Sequence, residues 1–131
     1  MFVEYNPNPL KSQRAGDCAV RAVAKALETD WEKAYTLLAS AGFNMGELMN
    51  SNIVITAVLR EKGFKKAFPP SNCPDCYTCG EFTKNNPKGT FVLFSQNHVC
   101  TAVNGNIYDT WNSSDCVILY VLYKEETPIF R

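Results

Sequence analysis

The run His98-Val99-Cys100-Thr101-Ala102-Val103-Asn104-Gly105-Asn106-Ile107-Tyr108-Asp109-Thr110-Trp111 decides how this chain is read. Two strand-like stretches flank Asn104-Gly105, and Asn-Gly is the strongest short-range signal for a two-residue hairpin turn. With those residues as the loop, Val103 pairs with Asn106, Cys100 lies opposite Asp109, and His98 lies opposite Trp111. Side chains alternate faces with period two, so His98, Cys100, Asp109 and Trp111 share one face and Asn112 falls on the other. His98 and Asp109 become diagonal neighbours, roughly 7–8 Å apart at the backbone and within side-chain reach. The chain holds one histidine. Any chemistry that needs imidazole must use it.

Outward from the hairpin, residues 90–94 and 117–123 also read as strands, and residues 64–68 as a short one. The first half has a different period. Residues 16–27 are rich in alanine, with apolar positions at helical spacing and Asp17 as the N-cap. Thr29 with Glu32 forms a capping-box signature for a second helix over 30–41, closed by Gly42. A third helix is expected from 51 or 52 to 62, with Gly63 as its stop. The lead-in over residues 1–12, with Asn6-Pro7-Asn8-Pro9, reads as extended and turn-rich. Helices followed by an antiparallel sheet make an α+β layout, expected as a single domain over 1–131.

Composition narrows the function classes. Hydrophobic residues are 46% and charged residues 20% of the 131, an ordinary globular balance. Lys+Arg and Asp+Glu are both 13, so neither nucleic acid nor an anionic membrane surface is an expected partner. No apolar run approaches the roughly 18 residues that span a bilayer. The first residues show no basic region followed by an apolar one, so a cytoplasmic location is expected. In that setting six cysteines read as thiols, a metal site or a nucleophile before a disulfide framework.

Cys18 is the candidate nucleophile because it opens the alanine-rich helix. A helix N-terminus and a nearby imidazolium both stabilise a thiolate. His98 then acts as general base and acid, and Asp109 fixes its tautomer and supports its charged form. The backbone N–H of Cys18 is an oxyanion donor, since first-turn amides lack intrahelical partners, and the Gln13 side-chain amide is a second. Trp111, on the face of His98, is read as a substrate wall or a cover over the imidazole–carboxylate bond. Residues 44–52 form a candidate substrate-facing loop.

In that order, Gln13, Asp17-Cys18-Ala19, His98-Val99 and Gly105-Asn106-Ile107-Tyr108-Asp109 resemble the papain-like cysteine peptidases, nearest their small C39-like branch. The family's usual glycine after the nucleophile is Ala19 here, and Gln13 lies slightly closer to the cysteine than in papain. The resemblance implies a papain-like fold, with N-terminal helices packed on the C-terminal sheet. It also implies metal-free, cofactor-free hydrolysis of peptide or isopeptide bonds in a peptide or protein substrate. Asp17-Cys18-Ala19-Val20-Arg21-Ala22 is also similar to the ovarian-tumour deubiquitinases, which carry their histidine near the C-terminus.

Other readings of the same residues stand beside it. These are a non-catalytic papain-like binding module, an acyltransferase or transglutaminase-type enzyme, and a small zinc-binding adaptor. The adaptor would use Cys73, Cys76 and Cys79, but zinc needs a fourth ligand from Cys100, Cys116 or a carboxylate such as Asp75. Thr78 with Glu81 signals a cap that places Cys79 in a short helix, away from a knuckle. Reduced thiols packing a loop are the preferred reading, with no metal. Trp31, Tyr35, Phe43, Phe64, Phe91, Phe94 and Tyr120 are expected in the core.

Overall fold

The computed structural model of the chain describes residues 1–12, 15–69 and 77–124. The first helix, α1 (Cys18–Ala26), carries four alanines in nine residues and is buried on nearly every side. Its alanines and valines face the core, and those small side chains let it approach a sheet closely. Lys25 leaves that core by laying its ammonium 3.8 Å from the centroid of the Tyr108 ring. The expected Thr29–Glu32 capping box is corrected: helix α2 (Trp31–Met45) is capped by Asp30, whose carboxylate accepts the Lys33 N–H at 2.7 Å. The expected end at Gly42 is corrected: the helix runs on to Met45 and stops at Gly46, in the left-handed conformation with φ 68°. Gly42 serves close approach instead, because a Cβ there would lie 2.8 Å from the Glu47 carbonyl oxygen. Helix α3 (Asn52–Glu61) starts on the Ser51 cap, as its sequence predicts.

The second half supplies β2 (Phe64–Ala67), α4 (Cys79–Asn85), β3 (Thr90–Ser95), β4 (His98–Val103), β5 (Asn106–Asp109) and β6 (Ile118–Lys124). The Asn104-Gly105 turn forms with φ 48° and 85°, both positive as a tight primed turn requires. The register is the expected one, with Val103 opposite Asn106, Ala102 opposite Ile107 and Thr101 opposite Tyr108.

One feature of the sheet departs from expectation. The lead-in contributes a strand, β1 (Phe2–Glu4), which pairs parallel to β5. The sheet is therefore mixed, with order β1-β5-β4-β3-β6-β2 and all other pairings antiparallel. Three residues are too few to show a period, and their partner lies a hundred positions away, so local pattern is silent about them.

Both faces of the sheet are covered. Val92, Phe94, Val99 and Leu122 pack against α1, α2 and α3 through Val23, Leu38, Ile55 and Leu59. Phe91, Leu93, Ala102 and Ile107 pack on the opposite face against Phe82 of α4. Central β3 is apolar on both sides, which explains its continuous run Phe91-Val92-Leu93-Phe94. Phe43 is 87% exposed and Tyr35 44% exposed. Their expected core positions are corrected: both lie on the outer side of α2, beyond the stripe that Ala34, Leu38 and Gly42 bury.

Candidate active site

The site forms where the start of α1 meets the start of β4. Thr101 pins the two together by donating its hydroxyl to the Ala22 carbonyl at 2.7 Å. That contact, in a close-packed interior, fixes the height of Cys18 over the strand.

His98 opens β4 and Asp109 closes β5. The hairpin register brings them together, with His98 Nε2 2.7 Å from Asp109 Oδ2. Asp109 is almost fully buried, and its carboxylate is well supplied with donors. Ser113 Oγ donates to Oδ2 at 2.7 Å, and the Thr110 N–H donates to Oδ1 at 2.7 Å. Buried carboxylates need such partners to stay charged. Burial pushes Asp109 up, but the bonds from His98 and Ser113 and the charge of His98 hold it below its ordinary range.

Since Nε2 faces Asp109, Nδ1 is the ring atom left for Cys18, whose thiolate is favoured by hydrogen bonding from the imidazole and the Val99 N–H. Burial raises the thiol, yet these bonds and the positive charges of His98 and Arg21 outweigh it and hold Cys18 below its ordinary value. Burial works against the imidazolium too, but Asp109 and Cys18 hold His98 up at about 9. Both shifts act in the same direction, favouring the proton on the ring over the proton on the sulfur.

Asp17 behaves differently from its predicted role. Its side chain does not cap α1; it is consumed by Arg21 one turn on, by Trp31 Nε1 at 2.9 Å and by Asn8 Nδ2 at 3.3 Å. Arg21 then reaches across to Asp109, with Nη2 3.4 Å from Oδ1. An acid and a base at i and i+4 are legible as a helix pair. The reach from Arg21 to the sheet is not, and nothing in the sequence marks Ser113 or the Val99 amide.

Two clefts flank the sulfur. One, of about 260 Å³, is walled by Gly16, Asp17, Arg21, His98 and Trp111. The other, of about 310 Å³, lies between Asn50, Ser51 and Asn52 on one side and Ser95, Asn97 and His98 on the other. The loop expected over 44–52 does border the site, but its ends belong to α2 and α3. Trp111 stands beside the imidazole, ring centroids 4.7 Å apart at 42°, and is 48% exposed. It lies against one side of the imidazole and keeps about half of its own surface exposed.

The remaining sequence candidates fall elsewhere. Gln13 lies outside the described residues, as do Asp75, Cys73 and Cys76. Cys79 begins α4 behind the Thr78–Glu81 capping box, as predicted. Its thiol bonds Cys100, and that bond together with burial pushes Cys100 well up. Burial raises Cys116 as well. Among the described residues no group of three or more His, Cys, Asp and Glu side chains is placed to hold a metal ion. No helix among them is long and apolar enough to cross a membrane.

No protein-family model matches this chain, and neither does any curated protein or solved structure.

Proposed function

We propose that this chain is a cysteine-dependent hydrolase of peptide or isopeptide bonds, with a papain-like arrangement of helices against a sheet. One observation carries the reading: the chain's single histidine lies 2.7 Å from a buried carboxylate and lines the same two clefts as Cys18.

In the first half-reaction the Cys18 thiolate adds to the scissile carbonyl carbon and the carbonyl oxygen takes the negative charge. The Cys18 N–H, first in α1, supplies an oxyanion donor of the kind a helix N-terminus offers. The His98 imidazolium gives its proton to the leaving nitrogen, the C–N bond breaks, and an amine departs from an acyl-thioester. In the second half-reaction neutral His98 takes a proton from water while the hydroxide adds to the thioester carbon. The C–S bond breaks, the acid leaves, and thiolate and imidazolium are restored. Asp109 transfers no proton; it orients the ring and favours its charged form.

Alkylation of the intact protein across pH, with the modified site mapped, tests this. Cys18 is expected to label well below pH 8, and His98→Ala to abolish that selectivity. Uniform labelling of all six thiols would overturn the assignment. Adding an amine acceptor separates hydrolysis from acyl transfer by whether the amine competes with water.

A further inference from the structure

Ser113 is fully buried and lies in the loop that follows β5. Its hydroxyl donates to Asp109 Oδ2 at 2.7 Å, the oxygen that also lies 2.7 Å from His98 Nε2. The other oxygen takes the Thr110 N–H at 2.7 Å and Arg21 Nη2 at 3.4 Å. The last torsion of an aspartate is broad and nearly two-fold, so rotamer preference alone leaves the plane of its carboxylate free to swing. Its donors must set that plane. Among the described residues Ser113 is the one donor besides the ring that grips Oδ2.

The loop is fastened from the α4 face of the sheet. First-turn amides of a helix have no partner within it, and those of α4 go to this loop. The Cys79 N–H donates to the Cys116 carbonyl and the Gly80 N–H to the Ser114 carbonyl, both at 2.8 Å. The Cys116 N–H closes a turn onto the Ser113 carbonyl at 3.1 Å. Gly80 makes the approach possible, since a Cβ there would lie 3.1 Å from Ser114 Cβ and 3.2 Å from its carbonyl oxygen. The hairpin register sets Cys100 opposite Asp109, and its thiol comes within hydrogen-bonding reach of Ser113. A carboxylate only accepts, so the single hydroxyl proton belongs to the Asp109 bond, and Cys100 meets the lone pairs of Ser113 with its own S–H. The Ser113 proton is thereby aimed at Asp109.

We infer that Ser113 is a positioning residue for the proposed reaction: the start of α4 holds its loop, and its hydroxyl turns the Asp109 carboxylate to face His98. This role rests on the hydrolase reading, and through it α4 acts on the ring from the opposite face of the sheet to α1. Ser113 itself touches neither the sulfur nor the imidazole and transfers no proton. Facing Asp109 are His98 and Cys100 of β4, Arg21 of α1 and Cys116 of the loop; facing His98 are Asp109 and Cys18.

Ser113→Ala tests this, read by NMR titration of the one histidine. A hydrogen bond weakens steeply as its angle closes, so a carboxylate free to turn supports the imidazolium less. The His98 pKa is expected to fall from about 9 by roughly half a unit to one unit, less than in Asp109→Asn. Alkylation of Cys18 by iodoacetamide near pH 6 is expected to slow roughly threefold to tenfold with it. Thr83→Ala is the control, because that hydroxyl is equally buried in α4 and bonds nothing among the described residues. It is expected to change thermal stability and leave the titration in place. A His98 pKa that holds or rises in folded Ser113→Ala, or falls equally in Thr83→Ala, overturns the role. Should Ser113→Ala fail to fold, Gly80→Ala keeps the hydroxyl, gains helix propensity and pushes on the loop. A lowered His98 pKa in that variant supports the role, and an unmoved one overturns it. A Cys18 that fails to react near pH 6, while the His98 titration still follows Ser113, removes the hydrolase reading and the reaction being positioned, yet keeps the coupling of Ser113 to Asp109.

Discussion

Arg21 stands between two buried carboxylates, pairing with Asp17 on its own helix and placing Nη2 3.4 Å from Asp109 on the sheet. One cation thus serves both the residue that precedes Cys18 and the residue paired with His98. Without it, two carboxylates would face a thiolate across a poorly solvated junction, and the single imidazolium would have to balance all three.

Arg21→Met is therefore expected to raise the Cys18 pKa and to cost about 3 kcal/mol of stability, the scale for stranding a buried charge. Arg21→Lys keeps the charge but cannot fork to both carboxylates, so it is expected to fall between the two. Alkylation rate against pH, read beside a thermal melt, separates the electrostatic effect from simple loosening. An unchanged Cys18 profile in a folded Arg21→Met protein would remove the electrostatic role.

Asp109→Asn preserves shape and removes charge. The His98 pKa is expected to drop from about 9 towards its ordinary 6.5, which NMR titration of the single histidine reads directly. The alkaline limb of activity, set by loss of the imidazolium proton, is expected to move to lower pH with it. A limb that stays in place would show that some other group controls it.

Stability against pH carries opposite signs for His98 and Cys18. His98 is raised from 6.5 to about 9, so its contribution is complete below about pH 6.5 and is lost as pH climbs through the folded value. Cys18 is lowered from 9.0; its contribution is complete above that value and is lost as pH falls through the folded one. Between those limits the two trends oppose each other, so the wild-type curve is expected to vary less with pH than the His98 contribution alone. Cys18→Ser removes one partner, while Asp109 still raises His98. The stability difference between Cys18→Ser and Cys18→Ser/His98→Gln, from urea melts, is then expected to shrink as pH rises above about 6.5. A constant difference would contradict the histidine shift.

Gly42→Ala sets helix propensity against space. Propensity favours alanine by roughly 1 kcal/mol within a helix. A Cβ at that point would lie 2.8 Å from the Glu47 oxygen and 3.1 Å from the Met49 backbone, all of it main chain. Overpacking of this kind typically costs 1–3 kcal/mol, so a net loss of about 1 kcal/mol is expected in thermal unfolding. A more stable variant would show that the loop yields freely.

The parts of the fold legible in the sequence are those with local signals. The Asn104-Gly105 turn carried the register, and through it the meeting of His98 with Asp109. The alanine-rich stretch carried α1, and the apolar run carried β3. What stayed hidden depends on partners distant in sequence. Strand β1 exists because β5 offers an edge to it. Gly42 looked like a stop because a glycine needed for close approach and a glycine needed for left-handed backbone are the same letter. Asp17 looked like a cap because its competitors Arg21, Trp31 and Asn8 converge only after folding.

The alanines of α1 act as a shim between Cys18 and His98. Ala22 is 2% exposed, and its carbonyl is held by Thr101 two residues past Val99. Inserting bulk at that position would tilt the helix on its bearing surface and lift the sulfur from the ring, touching neither group directly. The alignment of Cys18 with His98 is thus a matter of layer thickness, tuned by methyl groups with no chemistry of their own.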